Sequence, residues 1–411
     1  MPRVKLHASE SVAIHGLFVV FGLGIAAFFP FVSLYLAGRG LTPDQIGLVI
    51  AIMALARLVT NPVWGHVADT TIGRVTALRL GSLGVAAAAL SMNLVEGFVP
   101  IAAVSFVLAG MQVAGGPNLD AIALAHLGDE RMTDYGRIRA WESMSYAAGC
   151  LTFGAILQAA GIRWAMPIFG VASLGVVAWS VTLERDRPQR VERHGRLGTV
   201  GAVFRAAPRL WGFLVAILLV WTGFNAAWNF IALKIADEGG GPMLVGFGLA
   251  LGGLVEVPTM RVSSRLQARW GLRRVFVLGC LVYATGFLLW GTISNPTIVS
   301  MLAVFEGLAF ALLFTTGVVV VGRLLPSNLY STGNALAQMV GFGIGPIIGA
   351  GIGGFVYQEA GPVVLYAGAS VLAVGGAIAA WIALSTPALS RPSAEVPEVE
   401  PGAQPEPGLV P

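Results

Sequence analysis

The chain has 411 residues, of which 56% are hydrophobic and 11% charged, with a formal net charge of +4. An ordinary soluble domain carries roughly 25% charge, so a soluble globule is excluded; a chain this apolar folds as one helical bundle in a bilayer. The basic residues are dispersed along the chain rather than gathered into a patch, which excludes nucleic acid as a partner.

Arg3 and Lys5 precede an apolar stretch from Ser11 to about Ala37, too long for the core of a signal peptide and without a clear cleavage site, so it is expected to be retained as the first span. Further apolar segments follow at about 45–64, 75–95, 98–127, 138–160 and 163–183, and then at 210–235, 243–264, 273–294, 297–322, 333–358 and 362–385. Each is long enough to cross the hydrocarbon core as a helix, and a closed barrel would show short alternating segments instead. The expected fold is all-α integral membrane, with twelve transmembrane helices in two six-helix pseudo-symmetric bundles. The expected domains are 1–183, a cytoplasmic connector at 184–209, 210–385, and a disordered tail at 386–411. Cys150 and Cys280 both fall inside apolar runs and read as small buried hydrophobes.

With the N-terminus in the cytoplasm, the inside segments hold 20 of the 25 basic residues, while Arg39, Arg163 and Lys234 lie outside. That asymmetry places both termini in the cytoplasm and the chain in the cytoplasmic membrane, as a multi-pass protein. The two halves also repeat. IGLVIAIMALARLVTNP in span two aligns with VGFGLALGGLVEVPT in span eight, setting Gly47 against Gly246 and Arg57 against Glu256. LQAAG ends span five at Gly161 and YQEAG ends span eleven at Gly361, in nearly the same register. Two parallel six-helix repeats produce this kind of internal symmetry.

Ionisable side chains at membrane depth are costly, and face either a partner or a wet cavity. Six meet that description: Arg57, Asp120, Arg139, Glu142, Glu256 and Glu306. Spans four and five are joined by a short turn, which brings Asp120 near Arg139, and Glu142 shares the helix face of Arg139. One Arg between two carboxylates either holds a polar substrate and exchanges a proton as its pairing changes, or locks two helices together. Tyr146, two turns beyond Arg139, is positioned to stack on the same ligand. Glu256 stands alone in mid-span, where it is a proton-coupling carboxyl, a permanently protonated helix contact, or the partner of Arg57 across the halves in a structural pair. Glu306 lies in the outer part of span ten, where it either takes part in coupling or reaches water.

Span seven carries Trp221, Asn225, Trp228 and Asn229, the two Asn one turn apart. Asparagines at this depth either bond across the bundle or meet a substrate, and the aromatic neighbours suit a sugar ring or an aromatic acid. Asn334 and Gln338 share a face of span eleven in the same way, and its glycines Gly341, Gly343, Gly345, Gly349 and Gly351 read as a packing surface. No HExxH, Walker or GxSxG motif is present, and the five histidines are scattered. No enzymatic centre, metal or cofactor is therefore expected, and a proton gradient is the expected energy source.

The stretch Gly65, His66, Val67, Ala68, Asp69, Thr70, Thr71, Ile72, Gly73, Arg74, between spans two and three of a six-plus-six pattern, resembles the corresponding loop of the major facilitator superfamily. Thr70 stands where that loop has Arg, and one residue is extra. The resemblance implies a conformational role for Gly65, Asp69 and Arg74, with Arg57 added as a further conformational candidate. Asp134-Tyr135-Gly136-Arg137-Ile138-Arg139-Ala140-Trp141 is similar to the opening of span five in the lactose permease, nucleoside and phenylpropionate proton symporters. This implies a substrate contact for Arg139, pairing with Asp120, and coupling roles for Glu256 and for Glu306 in the Phe305-Glu306 pair. The basic residue of span nine in that group falls near Tyr283 to Thr285, and the span-ten His near Phe314 or Thr315, where this chain has neither.

The expected function is alternating-access transport of a small organic solute (an aromatic acid, a nucleoside or a sugar) with a proton, by a monomer whose partners are that solute, the proton and the lipid bilayer. A proton-antiport exporter of drugs or metabolites is the alternative, and a non-transporting receptor or scaffold is a lower one.

Overall fold

Proline and glycine punctuate the helices. The computed structural model describes residues 8–127, 135–183 and 198–385. The membrane-crossing helices are α1 (Val12–Gly38), α2 (Pro43–Ile72), α3 (Arg74–Leu94), α4 (Phe98–Leu127), α5 (Tyr135–Ala160), α6 (Ile162–Ser180), α7 (Arg209–Asp237), α8 (Pro242–Trp270), α9 (Leu272–Thr292) and α10 (Pro296–Leu324). The last helical stretch, Ser327–Ala383, is two helices, because Gly361 adopts φ 81° inside it; they are α11 (327–360) and α12 (362–383). Among the described residues, 10 stretches are long and apolar enough to span a membrane. Dividing the last at Gly361, and adding α5, which its charged N-terminal turns make more polar, brings the helices to the expected twelve.

Local chemistry sets the helix ends. α2 starts at Pro43 behind a Thr42–Gln45 capping box, and Pro30 breaks α1 into a 3-10 turn over Phe29–Phe31. The repeat seen in the sequence reappears in the turns. Gly40 and Gly239, Gly73 and Gly271, and Gly161 and Gly361 occupy equivalent junctions in the two halves, and all six have φ between 80° and 97°. A side chain would be strained in that left-handed region.

The halves meet through α2 against α11 and α5 against α8, both contacts at the end away from the N-terminus. A Cβ on Gly354 would lie 2.9 Å from Gly47 Cα, and one on Gly154 would lie 3.4 Å from Gly246 Cα. These are repeat-equivalent pairs, so the symmetry extends to the interface between the halves. A Cβ on Gly246 would run into the Cys150 carbonyl, whereas one on Gly253, two turns further along α8, meets nothing within 4 Å. Gly246→Ala is accordingly expected to destabilise the protein by about 1–3 kcal/mol through overpacking. Gly253→Ala should instead be neutral or stabilising by up to about 1 kcal/mol. Thermal unfolding of the two variants in detergent, with midpoints moving in opposite directions, is the check.

The connector is not loop throughout. Gly198–Ala206 forms a helix whose Val203 is fully buried and whose Phe204 stacks on Trp211 at 4.0 Å. Its apolar face is hidden in a stretch whose polar composition reads as linker. Residues 184–197 and the expected disordered tail 386–411 lie outside the described residues. Both cysteines are free and buried, as expected.

Candidate functional site

Toward the N-terminal end α5 and α8 diverge around a cavity of about 440 Å³, lined by Arg139, Glu142, Tyr146, Gly253, Glu256 and Pro258 among others. In its lining Arg139 Nη1 lies 2.6 Å from Glu142 Oε2, and Arg139 Nε also lies 3.8 Å from Oδ1 of Asp120, a residue outside the lining. The expected cluster therefore forms: the i,i+3 spacing supplies the first contact, and the antiparallel packing of α4 on α5 supplies the second. Its members differ in exposure. The Glu142 side chain is 11% exposed, whereas those of Arg139 and Asp120 are 41% and 38% exposed. Arg139 can thus reach a molecule in the cavity while keeping a carboxylate behind it.

Glu256 faces Arg139's cavity from α8, half-buried, and makes no hydrogen bond or ion pair among the described residues. Glu306 comes close to the same helix. Its Oε2 is 3.0 Å from where a Cβ on Gly252 would stand, one turn before Glu256. The reading that Glu306 reaches water near a helix end is corrected: it is 8% exposed, because Gly252 and Gly307 let α8 and α10 approach closely. Tyr283, at the position where the symporter group has a basic residue, is 1% exposed, with a buried hydroxyl that has no hydrogen-bond partner among the described residues. It stacks on Phe287 at 5.1 Å. Thr315, where that group has His, joins a buried polar cluster, with its hydroxyl 2.7 Å from Ser263 Oγ, which in turn accepts from Gln267 Nε2 at 2.9 Å.

A second cavity, of about 270 Å³, lies between the halves, walled by α1, α2, α7, α8 and α11. Its polar lining is Ser33, Arg57, Asn225 and Asn229, and Phe28, Phe29, Phe224, Trp228 and Phe342 supply aromatic surface. The two asparagines face one space, as their spacing predicts. Asn225 Nδ2 donates to the Trp221 carbonyl at 2.8 Å and Asn229 Nδ2 to the Asn225 carbonyl at 2.7 Å. One N–H of each amide is thus engaged within α7. On α8 the two cavities are one turn apart, at Leu249 and Gly253.

Arg57 does not meet Glu256. Equivalent depth in the two repeats does not make them neighbours, since α2 packs on α11 and α8 on α5. The guanidinium sits over the Phe29 ring, 5.9 Å from its centroid. Asn334 and Gln338 line a separate small pocket with Trp221 and Phe314.

Within the Gly65–Arg74 loop two of the three residues carried over from the resemblance lie side by side. Arg74 Nε lies 3.4 Å from Asp69 Oδ1, and the extra residue is absorbed in a π turn over Ala68–Ile72. Thr70, in place of Arg, donates its hydroxyl to the His66 carbonyl at 2.7 Å. Ser33 and the ring of Phe29 were not foreseen. Their only signal is Pro30, which breaks α1 and turns them toward the cavity's side of the helix.

A family model described as the MFS_1 like family matches residues 13–367. The chain belongs to this family. Similar proteins include the maltose permease of Geobacillus stearothermophilus, 29% identical over 83% of this chain and 86% of that one. A probable 3-phenylpropionic acid transporter of Escherichia coli (strain K12) is 23% identical over 70% and 74%. Among solved structures, the nucleoside transporter NupG superposes with a TM-score of 0.79 at 15% identity, covering 92% of this chain and 100% of that one. The MFS_1-like chain is therefore a multi-pass membrane transporter of small solutes with the major facilitator fold, and not an enzyme.

Proposed function

We propose that this carrier imports a small organic solute together with a proton, by alternating access of its two halves. The observation that carries the proposal is that Arg139, ion-paired to Asp120 and Glu142, shares one cavity between the halves with Glu256, which has no ion pair among the described residues. A guanidinium shared between two carboxylates and a solute changes its pairing when the solute arrives. Glu256, across the cavity, then holds or yields a proton according to where that charge is directed. Rocking the halves about the α2–α11 and α5–α8 contacts would expose the site to one side and then the other. The strong excess of basic residues at the N-terminal end supports placing that end in the cytoplasm, where this cavity opens.

Uptake by purified protein in proteoliposomes tests the reading. Maltose, uridine and 3-phenylpropionate would be offered with and without an inward proton gradient. Accumulation of one of them that needs the gradient and collapses with a protonophore is the expected result. Efflux driven by the same gradient would mark a proton-antiport exporter, and no flux of any solute would overturn the carrier reading in both directions.

A further inference from the structure

Among the described residues the charge of Arg57 has no counterion. It sits 14 residues into α2, about 21 Å along the helix from Pro43 at 1.5 Å per residue, and so at the middle of the membrane. Among the described residues it makes no ion pair and no hydrogen bond, and its Nη1 is buried without a partner. Its one neighbour of note is the Phe29 ring. A guanidinium carries five N–H donors in a rigid fork. A charge at this depth without a counterion is unfavourable by several kcal/mol per ion unless something else neutralises it.

Among the described residues no Asp or Glu lines the cavity that Arg57 faces; the polar side chains beside it there are Ser33, Asn225 and Asn229, all neutral. The remaining walls are largely aromatic and aliphatic. A positive group that neither pairs with the protein nor leaves the membrane interior is arranged for a negative ligand. Aromatic walls around it fit a ligand whose other end is a flat apolar body.

We propose that Arg57 is a substrate-recognition residue that receives the carboxylate of an aromatic organic acid, with the ring held among Phe28, Phe29, Phe224 and Trp228. This rests on the carrier reading above and narrows its substrate class. A carboxylate matches the guanidinium fork in a bidentate pair, whereas a neutral sugar or nucleoside can accept its hydrogen bonds but brings no counter-charge. Asn225 and Asn229, each with one N–H engaged in the helix, offer an amide oxygen and a second N–H to polar groups on the same acid.

The test is binding to the purified full chain in detergent, by calorimetry, using 3-phenylpropionate, benzoate and indole-3-acetate against their primary amides. The wild type should prefer the acids by about tenfold to a hundredfold, the value of a charge-assisted hydrogen-bonded pair. Arg57→Gln should erase that preference, and Arg57→Lys should retain part of it. The thermal midpoint and size-exclusion profile of each variant show that it is folded; should Arg57→Gln fail there, the preference in wild type and Arg57→Lys decides the matter. Equal binding of acid and amide by the wild type, or an acid preference that survives in folded Arg57→Gln, overturns the assignment. If uridine or maltose is transported while no acid binds, the carrier stands and the assignment falls. If nothing on either panel binds or moves, both fall.

Discussion

Arg139→Gln is expected to lower solute uptake about a hundredfold while leaving the protein folded. The two effects separate because the Arg139 side chain is 41% exposed, so its ion pairs contribute little to stability. A loss of about 1 kcal/mol or less is expected in thermal unfolding. Transport depends on more than the pair. Without the guanidinium, Glu142, whose side chain is only 11% exposed, and Asp120 confront each other and the cavity as two carboxylates with nothing between them. A solute that needs a donor fork at this point also loses it. A hydrogen bond from the solute to a charged group is worth about 1.5–3 kcal/mol, and two decades correspond to about 2.8 kcal/mol. Arg139→Lys keeps the charge but presents a compact ammonium in place of a planar fork, and should recover only part of the rate. Initial uptake rates and counterflow in proteoliposomes, set beside thermal midpoints, are the measurements. Full activity in Arg139→Gln would remove Arg139 from the site.

This cluster was legible in the sequence because its geometry is local. Three residues along one helix and a short turn between antiparallel helices are both read directly from spacing, and charges at membrane depth are rare enough to stand out. The spans were legible for a similar reason, since a bilayer demands long apolar runs. The repeat register set Gly47 against Gly246, but that these two glycines meet Gly354 and Gly154 between the halves is visible only in the packed structure. Arg57 and Glu306 were not legible, because their surroundings depend on which helices pack together over hundreds of residues. Equal depth of Arg57 and Glu256 invited a pairing that the α2–α11 and α5–α8 contacts forbid. The burial of Glu306 depends on two glycines on different helices meeting each other. Lys234 was counted among the outside charges, yet it is 2% exposed and paired with Glu238, next to Tyr357 donating to Asp237 at 2.5 Å. A composition-level charge map cannot distinguish such a buried pair from one in water.

Glu256→Gln is expected to abolish accumulation against a gradient while solute exchange persists. The two processes make different demands on the carrier. Exchange needs only a loaded site that changes sides, whereas accumulation needs a proton to be carried in each inward cycle and released. Glu256 is suited to that task by what it lacks: it is half-buried, faces Arg139's cavity, and has no hydrogen bond or ion pair among the described residues. Glutamine preserves its size and its hydrogen-bonding oxygen, so the fold and the cavity remain. A pH gradient of one unit corresponds to about 1.4 kcal/mol. With one proton per solute, the wild type should concentrate solute about tenfold inside the vesicles, and Glu256→Gln should stop at the outside concentration. Glu306→Gln provides the comparison. Glu306 lies behind Gly252 and outside the cavity lining, so its substitution should slow both processes and leave the final accumulation ratio unchanged. If instead Glu306→Gln equilibrates solute while Glu256→Gln still concentrates it, the coupling carboxyl is on α10 and the role assigned to Glu256 is wrong.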